Sequence, residues 1–432
     1  MNKKIFTNKY YTHLDIKKDY HHYIHRIKDP NWVKSHGFYP FIHYQIVFHK
    51  YKSDNGKKKK VRNINYAAHI DRFIYQYYGN KLNNIYNSYC KQIGIGNVST
   101  AYRNNSKGKC NIHFAREVFE FLVKTKEAFV FVGDFSNFFD NLDHKYLKEK
   151  ICTVSNKEML DDAEYAVYKN ITRYSFVEAK EIEIFKSKLR RDMRDYDKYF
   201  LTREFQEFKK GHLYRNYKTY GIPQGSSISS VYANVYMIEF DKMLNDYATS
   251  KQGIYRRYCD DIIMIIPMNK EQFQYREYEH HIIKVDQIRS LVKNLDLNID
   301  KTEQFFYSSD TISKISGESN IINYLGFSFN GKVIRIREKS MFKYYCRAYK
   351  KIKSVQFARD SKSMIAAKKA LYKSYTHLGN KKNKKGYGNF ITYTYKAEKI
   401  FSESDILDNE IHNQIKRHWK KINERLKLGV ET

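Results

Sequence analysis

An α+β fold is what the sequence predicts. Two short apolar runs, residues 128–133 and 262–266, have the length of buried strands, and each abuts an acidic residue at one end. Amphipathic stretches at helical spacing flank both runs, and beyond Gly331 the chain reads as basic helices to its end.

Residues 1 to about 50 mix aromatic and basic side chains and predict no particular element. The turn signal Asp54-Asn55-Gly56, followed by Lys57-Lys58-Lys59-Lys60-Val61-Arg62, predicts a basic hairpin. Residues 67–90 and 111–126 carry apolar side chains at helical spacing. Residues 128–134 then predict a buried strand with a carboxylate at its C-terminal end. Residues 156–212 are charged and helical in pattern, an insertion with a basic run at Lys186–Arg194. From Ser227, the apolar positions Ile228, Val231, Tyr232, Val235 and Ile238 mark an amphipathic helix, with Ser226 or Ser227 as its N-cap. Residues 254–266 predict strand, tight turn, strand, with two adjacent acids at the turn. Residues 379–389 predict a Gly- and Lys-rich loop, and Ile411, Ile415, Trp419, Ile422 and Leu426 mark one face of the last helix.

Composition narrows the function. The 432 residues suggest two or three domains at roughly 150 residues each. With 42% hydrophobic and 16% aromatic residues, the chain can bury a core and is not a disordered tail. The longest apolar run, Ile262–Ile266, falls far short of the roughly 20 residues that span a bilayer. No apolar signal core opens the chain, so a cytoplasmic location and no membrane partner are expected. None of the five cysteines sits in a C-x-x-C pair, which predicts buried thiols rather than a cysteine zinc site or a disulfide framework. His69 and His144 are expected to cap or pack. Lys and Arg number 79 against 47 Asp and Glu, a net +32. Such a field attracts polyanions, and nucleic acid is the expected one.

Three separated segments point at one site: Asp134 at a strand end, the turn 221–227 that opens a helix, and Tyr258-Cys259-Asp260-Asp261 at a hairpin tip. Carboxylates brought that close repel one another unless a cation lies between them. Magnesium takes oxygen ligands and keeps positions open for water and phosphate. Two such ions about 4 Å apart suit nucleotidyl transfer.

The strings GDFSNFFDNLDH (133–144), GIPQGSSISSVYAN (221–234) and YCDD (258–261) resemble, in that order, motifs A, B and C of a reverse transcriptase. Residues 298–302 are similar to motif D and Tyr324-Leu325-Gly326-Phe327 to the primer-grip motif E, so the likeness runs over roughly residues 55–335. HIDRFIY (69–75), AYR (101–103) and FAREVFEF (114–121) look like the bacterial defence-associated and abortive-infection members.

The resemblance implies a right-hand polymerase. Residues 1–125 would be an N-terminal extension and fingers. Residues 126–335 would be a palm with an inserted helical element at about 156–212, and residues 336–432 a helical thumb. It implies two Mg2+ ions, with Mn2+ as a substitute, held by Asp134, Asp260, Asp261 and the Phe135 carbonyl. Lys301 would neutralise or protonate pyrophosphate. Phe139 would exclude a ribose 2′-hydroxyl. Pro223, Gln224 and Gly225 would shape the nucleotide pocket, and Lys60 and Arg62 would meet the triphosphate. The partners implied are an RNA template, noncoding in an antiphage setting, the DNA product and dNTPs, with a homo-oligomer or a second defence protein as a further class. Three rival readings stand beside it: an RNA-dependent RNA polymerase, which Phe139 in place of an acid disfavours, untemplated or protein-primed DNA synthesis by the same site, and an RNA-binding scaffold without polymerase activity.

Overall fold

The computed structural model describes residues 12–52, 56–106, 108–188, 200, 202–380 and 388–428. In chain order the strands are β1 (Phe41–Lys52), β2 (Gly56–Tyr66), β3 (Glu127–Asp134), β4 (Ser175–Glu178), β5 (Tyr214–Arg215), β6 (Ile254–Tyr258), β7 (Asp261–Pro267), β8 (Glu303–Ser308), β9 (Thr311–Ser316), β10 (Ile322–Tyr324), β11 (Phe327–Phe329), β12 (Val333–Ile336) and β13 (Asp408–Asn409). Helices fill most of the rest, so the fold is the mixed α+β one expected. Asp54, Asn55, most of the 379–389 loop and the second half of the 186–194 basic run lie outside the described residues. Among the described residues no helix is long and apolar enough to cross a membrane.

The chain forms two compact units, each assembled from separated segments. The first takes the described residues of Met1–Asn105, Phe135–Leu244 and Val285–Leu297, and the second those of Ser106–Asp134, Asn245–Lys284 and Asn298–Thr432.

In the first unit the sheet order is β2-β1-β4-β5. The basic hairpin of β1 and β2 is antiparallel, as its sequence predicts. β4 pairs parallel to β1 through Phe41 and Phe176, which places a strand inside the segment 156–212 read as wholly helical. Four residues are too few to display a strand period, and the partner strand is remote in sequence. The N-terminal segment also gains the helices Tyr20–Lys28 and Pro30–Ser35, each capped by an aspartate, Asp19 and Asp29. The helix His69–Gln92 approaches the helix Ser227–Tyr236 at Gly79, where a side chain would stand 3.4 Å from the Ile228 Cα. Ser226 occupies the N-cap position of Ser227–Tyr236, but its hydroxyl makes no capping bond.

In the second unit the antiparallel order β6-β7-β3-β8-β9 puts β3 at the centre. Only its first residue escapes burial, which explains why the strand is an unbroken apolar run rather than an alternating one. Val130 and Val132 face one way, with Ile263 and Ile265, into a core that includes Ile112, Val118, Phe119 and Leu122 of the helix Asn111–Thr125. Phe129 faces the other way, against Tyr278 and His281. Each such side chain contributes about 1.5–3 kcal/mol by leaving water. A smaller sheet, β10-β11-β12-β13, shares the first of these cores. β12 and β13 break the run of helices expected after Gly331, and the last helix is in two pieces, Ile411–Ile415 and His418–Lys427. None of the five cysteines forms a disulfide; Cys90, Cys152 and Cys259 are buried, and Cys110 and Cys346 are half-buried.

Candidate active site

The acids meet in the second unit. The register of β3 against β7 sets Asp134 directly opposite Asp261. β6 and β7 form a hairpin whose Tyr258 pairs with Asp261, leaving Cys259 and Asp260 as its two-residue tip. Cys259 adopts φ +62°, the left-handed conformation that so tight a turn demands. The fully buried Arg257 guanidinium donates to the Cys259 carbonyl at 2.9 Å and holds the tip in that shape. Of the two adjacent acids, Asp260 is therefore the turn residue and Asp261 the first residue of a strand.

Residues 298–301 are tied to the same place. The Asn298 N–H donates to the Asp134 carbonyl at 2.7 Å, and the Lys301 N–H to the Asn298 carbonyl at 2.9 Å. The Lys301 ammonium then forms an ion pair with the Asp134 carboxylate. Asp134 is buried, at 7% exposure. Burial and the neighbouring charges of Asp260 and Asp134 push Asp261 up to about 7. Burial and the Asp134 charge raise Asp260 as well. Lys301 opposes both shifts, and Arg337 opposes that of Asp261. With Asp134 beside these two raised carboxyls, three side chains offer oxygen alone and fit a hard divalent cation, whose charge relieves the repulsion.

The primer-grip candidates are the turn between β10 and β11. Leu325 and Gly326 take φ +48° and +93°, the paired positive values of a tight hairpin turn. Tyr324 and Phe327 on either side are buried. The Asn111 amide donates to the Leu325 carbonyl and to the Tyr393 hydroxyl, both at 2.9 Å, and the Arg337 N–H donates to the Gly326 carbonyl at 3.0 Å.

The nucleotide-pocket candidates gather in the first unit. Phe139 is half-buried in the short 3-10 turn Phe138–Asp140, and its carbonyl accepts the Ile222 N–H at 2.9 Å. Gly221 is held by its N–H to the Leu142 carbonyl at 2.9 Å, and its own carbonyl bonds the His144 Nε2 at 2.8 Å. His144 thus braces the turn. The Pro223 carbonyl accepts the Ser229 hydroxyl at 2.7 Å. The Gln224 carbonyl accepts the Asn65 N–H of β2 at 2.7 Å. Gly225 lies so close that a Cβ would stand 2.6 Å from the Asn65 carbonyl oxygen, and its φ is +117°. The turn is therefore joined to β2, the strand that carries exposed Lys60 and Arg62; Arg62 also lies over the Phe48 ring. Phe135 belongs to this unit, its backbone bridged to Leu297.

Sequence reasoning missed the side chains of Arg257 and Asn111 and the backbone N–H of Asn65, which hold these parts. Arg257 alone carried a signal, as a cation in a strand otherwise read as buried.

The family described as reverse transcriptase (RNA-dependent DNA polymerase) matches residues 49–329, well over half of the chain. No curated protein sequence matches it. Among solved structures, the chain is similar to the apo telomerase of Candida tropicalis truncated from its C-terminal domain, at 14% identity and a TM-score of 0.41 over 67% of this chain and 55% of that one. It is also similar to the telomerase of Candida albicans in complex with the TWJ fragment of telomeric RNA, at 12% identity and a TM-score of 0.38 over 95% and 64%. The corresponding Candida tropicalis complex gives 12% and 0.37 over 90% and 62%. The chain thus spans less than two thirds of the length of each. The profile match encloses the strand-end acid, the turn 221–227 and the acidic hairpin tip in one stretch: the chain belongs to the reverse transcriptase family.

Proposed function

We propose that the chain is an RNA-directed DNA polymerase that extends a DNA 3′ end with dNTPs. The observation that carries the reading is the convergence of Asp134, Asp260 and Asp261 at neighbouring strand and hairpin ends, with Lys301 against Asp134. In the reaction the 3′ oxygen bonds the α-phosphorus of the nucleotide, loses its proton, and displaces pyrophosphate.

Asp134 and Asp260 are the principal ligands for two Mg2+ ions, with Asp261 and the Phe135 carbonyl completing the set. Mg2+ (or Mn2+ in its stead) supplies neutralisation of the phosphate charge and activation of the hydroxyl. Lys301 lies against Asp134 and would neutralise or protonate the leaving pyrophosphate. Phe139 blocks a 2′-hydroxyl, and its backbone bond to Ile222 keeps the ring registered to the turn that presents Pro223, Gln224 and Gly225. Lys60 and Arg62 lie exposed on the strand bonded to that turn and meet the triphosphate. Leu325 and Gly326, pinned by Asn111 and Arg337, carry the primer strand between Tyr324 and Phe327. Fingers, palm and thumb then correspond to residues 1–125, 126–335 and 336–432.

The antiphage setting, the noncoding-RNA template and the cytoplasmic location belong to the same proposal. The first two rest on the likeness of residues 69–75, 101–103 and 114–121 to defence-associated enzymes, and the location on cysteines that form no disulfide.

Primer extension on an RNA template tests the reading. Wild-type protein should incorporate dNTPs, and Asp134→Asn or Asp260→Asn should lower the rate roughly a thousandfold or more. Variants that extend as fast as wild type would refute the assignment. DNA that forms without RNA, or that stays attached to the protein, would favour the untemplated or protein-primed reading.

A further inference from the structure

A second group of potential ligands lies in the first unit, whereas Asp134, Asp260 and Asp261 belong to the second. His13 and Asp15 come from the N-terminal segment, and His69 opens the helix His69–Gln92. Their exposures are 2%, 2% and 3%. One ligand atom from each lies within 4.8 Å of the others.

The backbone around the group is pinned. The Asp15 carboxylate accepts the His69 N–H at 2.9 Å and the Ile70 N–H at 3.1 Å, so Asp15 caps this helix in the place where His69 was expected to act. The Tyr66 hydroxyl donates to the Thr12 carbonyl at 2.5 Å, and the Lys186 ammonium to the His13 carbonyl. The imidazoles themselves stack at 3.7 Å between centroids, 27° from parallel. Their polar atoms are unsatisfied: Nδ1 and Nε2 of His13 and Nδ1 of His69 are buried without a hydrogen-bond partner among the described residues. Each such atom gives up its hydration with nothing in return, and native proteins seldom leave several together without an ion or a water to meet them.

We propose that His13, Asp15 and His69 form a binding site for a divalent transition metal of the zinc class, which fastens the N-terminal segment to the start of the helix His69–Gln92. Two imidazoles and one carboxylate are a zinc ligand set that leaves a fourth position for water. Nitrogen donors select zinc and its late first-row neighbours over magnesium, which prefers oxygen alone. Bonds of about 2.0–2.1 Å require the rings to turn out of their stack, while the backbone on either side stays fixed. The Asp15 charge draws the cation in. Arg72 and Lys186 act electrostatically on both imidazoles, and Lys17 and Lys18 on His69, so together they moderate its affinity. Cysteine spacing predicted no zinc site, and these ligands need none.

The test uses the full chain carrying Asp260→Asn, so that ions at the catalytic acids contribute least, and compares it with the same chain carrying His13→Gln and His69→Gln. After equilibration with micromolar Zn2+ and removal of free metal, elemental analysis should find about one more zinc per chain where the histidines are intact. Co2+ should give a visible absorption band of tetrahedral nitrogen and oxygen coordination there, and lose it in the histidine variant. Asp15→Asn, which retains both imidazoles, should weaken the band. Equal zinc content and equal Co2+ spectra in folded samples, judged by circular dichroism, overturn the proposal. A histidine variant that does not fold leaves the decision to the parent chain, where the absence of zinc and of the Co2+ band is equally fatal.

Discussion

Phe139 separates two jobs within one residue. Its carbonyl binds the Ile222 N–H, while its ring meets Phe138 edge-on at 5.6 Å. Removing the ring leaves the backbone bond in place. Phe139→Ala should therefore keep DNA synthesis and raise ribonucleotide use relative to deoxynucleotide use by roughly tenfold or more. Competitive incorporation of the two sugar types by wild type and variant measures it. A wild-type chain that already takes ribonucleotides as readily would remove Phe139 from that role.

Turns define the site at the scale of elements, and two glycines show how differently a positive φ can be used. Gly225, at φ +117°, is also crowded by the Asn65 carbonyl, whereas nothing lies within 4 Å of a side chain added at Gly326, at φ +93°. Gly326→Ala should cost only the backbone strain, about 1–2 kcal/mol. Gly225→Ala should displace β2 from the turn and raise the KM for dNTPs as well. Denaturant midpoints and dNTP titrations separate the two, and equal effects would show that the Gly225–Asn65 approach is unimportant. The acids at 134, 260 and 261 were legible because strand-end and hairpin-tip carboxylates follow from local pattern. β4 was not, since a four-residue strand exists only through its pairing with β1. Asn111 was illegible for a related reason: it acts on a carbonyl, that of Leu325, whose position tertiary folding decides. His13, Asp15 and His69 are scattered in sequence and gain meaning only when the helix start brings them together.

The whole molecule carries +32, a surplus that internal ion pairs leave untouched because each removes one charge of either sign. Binding to an RNA–DNA duplex should weaken roughly a hundredfold or more between 50 mM and 200 mM salt, as phosphate contacts release counterions. A fluorescence-anisotropy titration at several ionic strengths measures the slope, and a flat response would contradict phosphate binding. The strand order of the five-stranded sheet has a consequence for how this molecule is made. β3 leaves the ribosome long before either of its neighbours, β7 and β8, has been synthesised. Its apolar residues 128–132 must wait with both edges open, so nascent chains stalled ahead of residue 261 should be the ones that chaperones hold and that aggregate when they are absent.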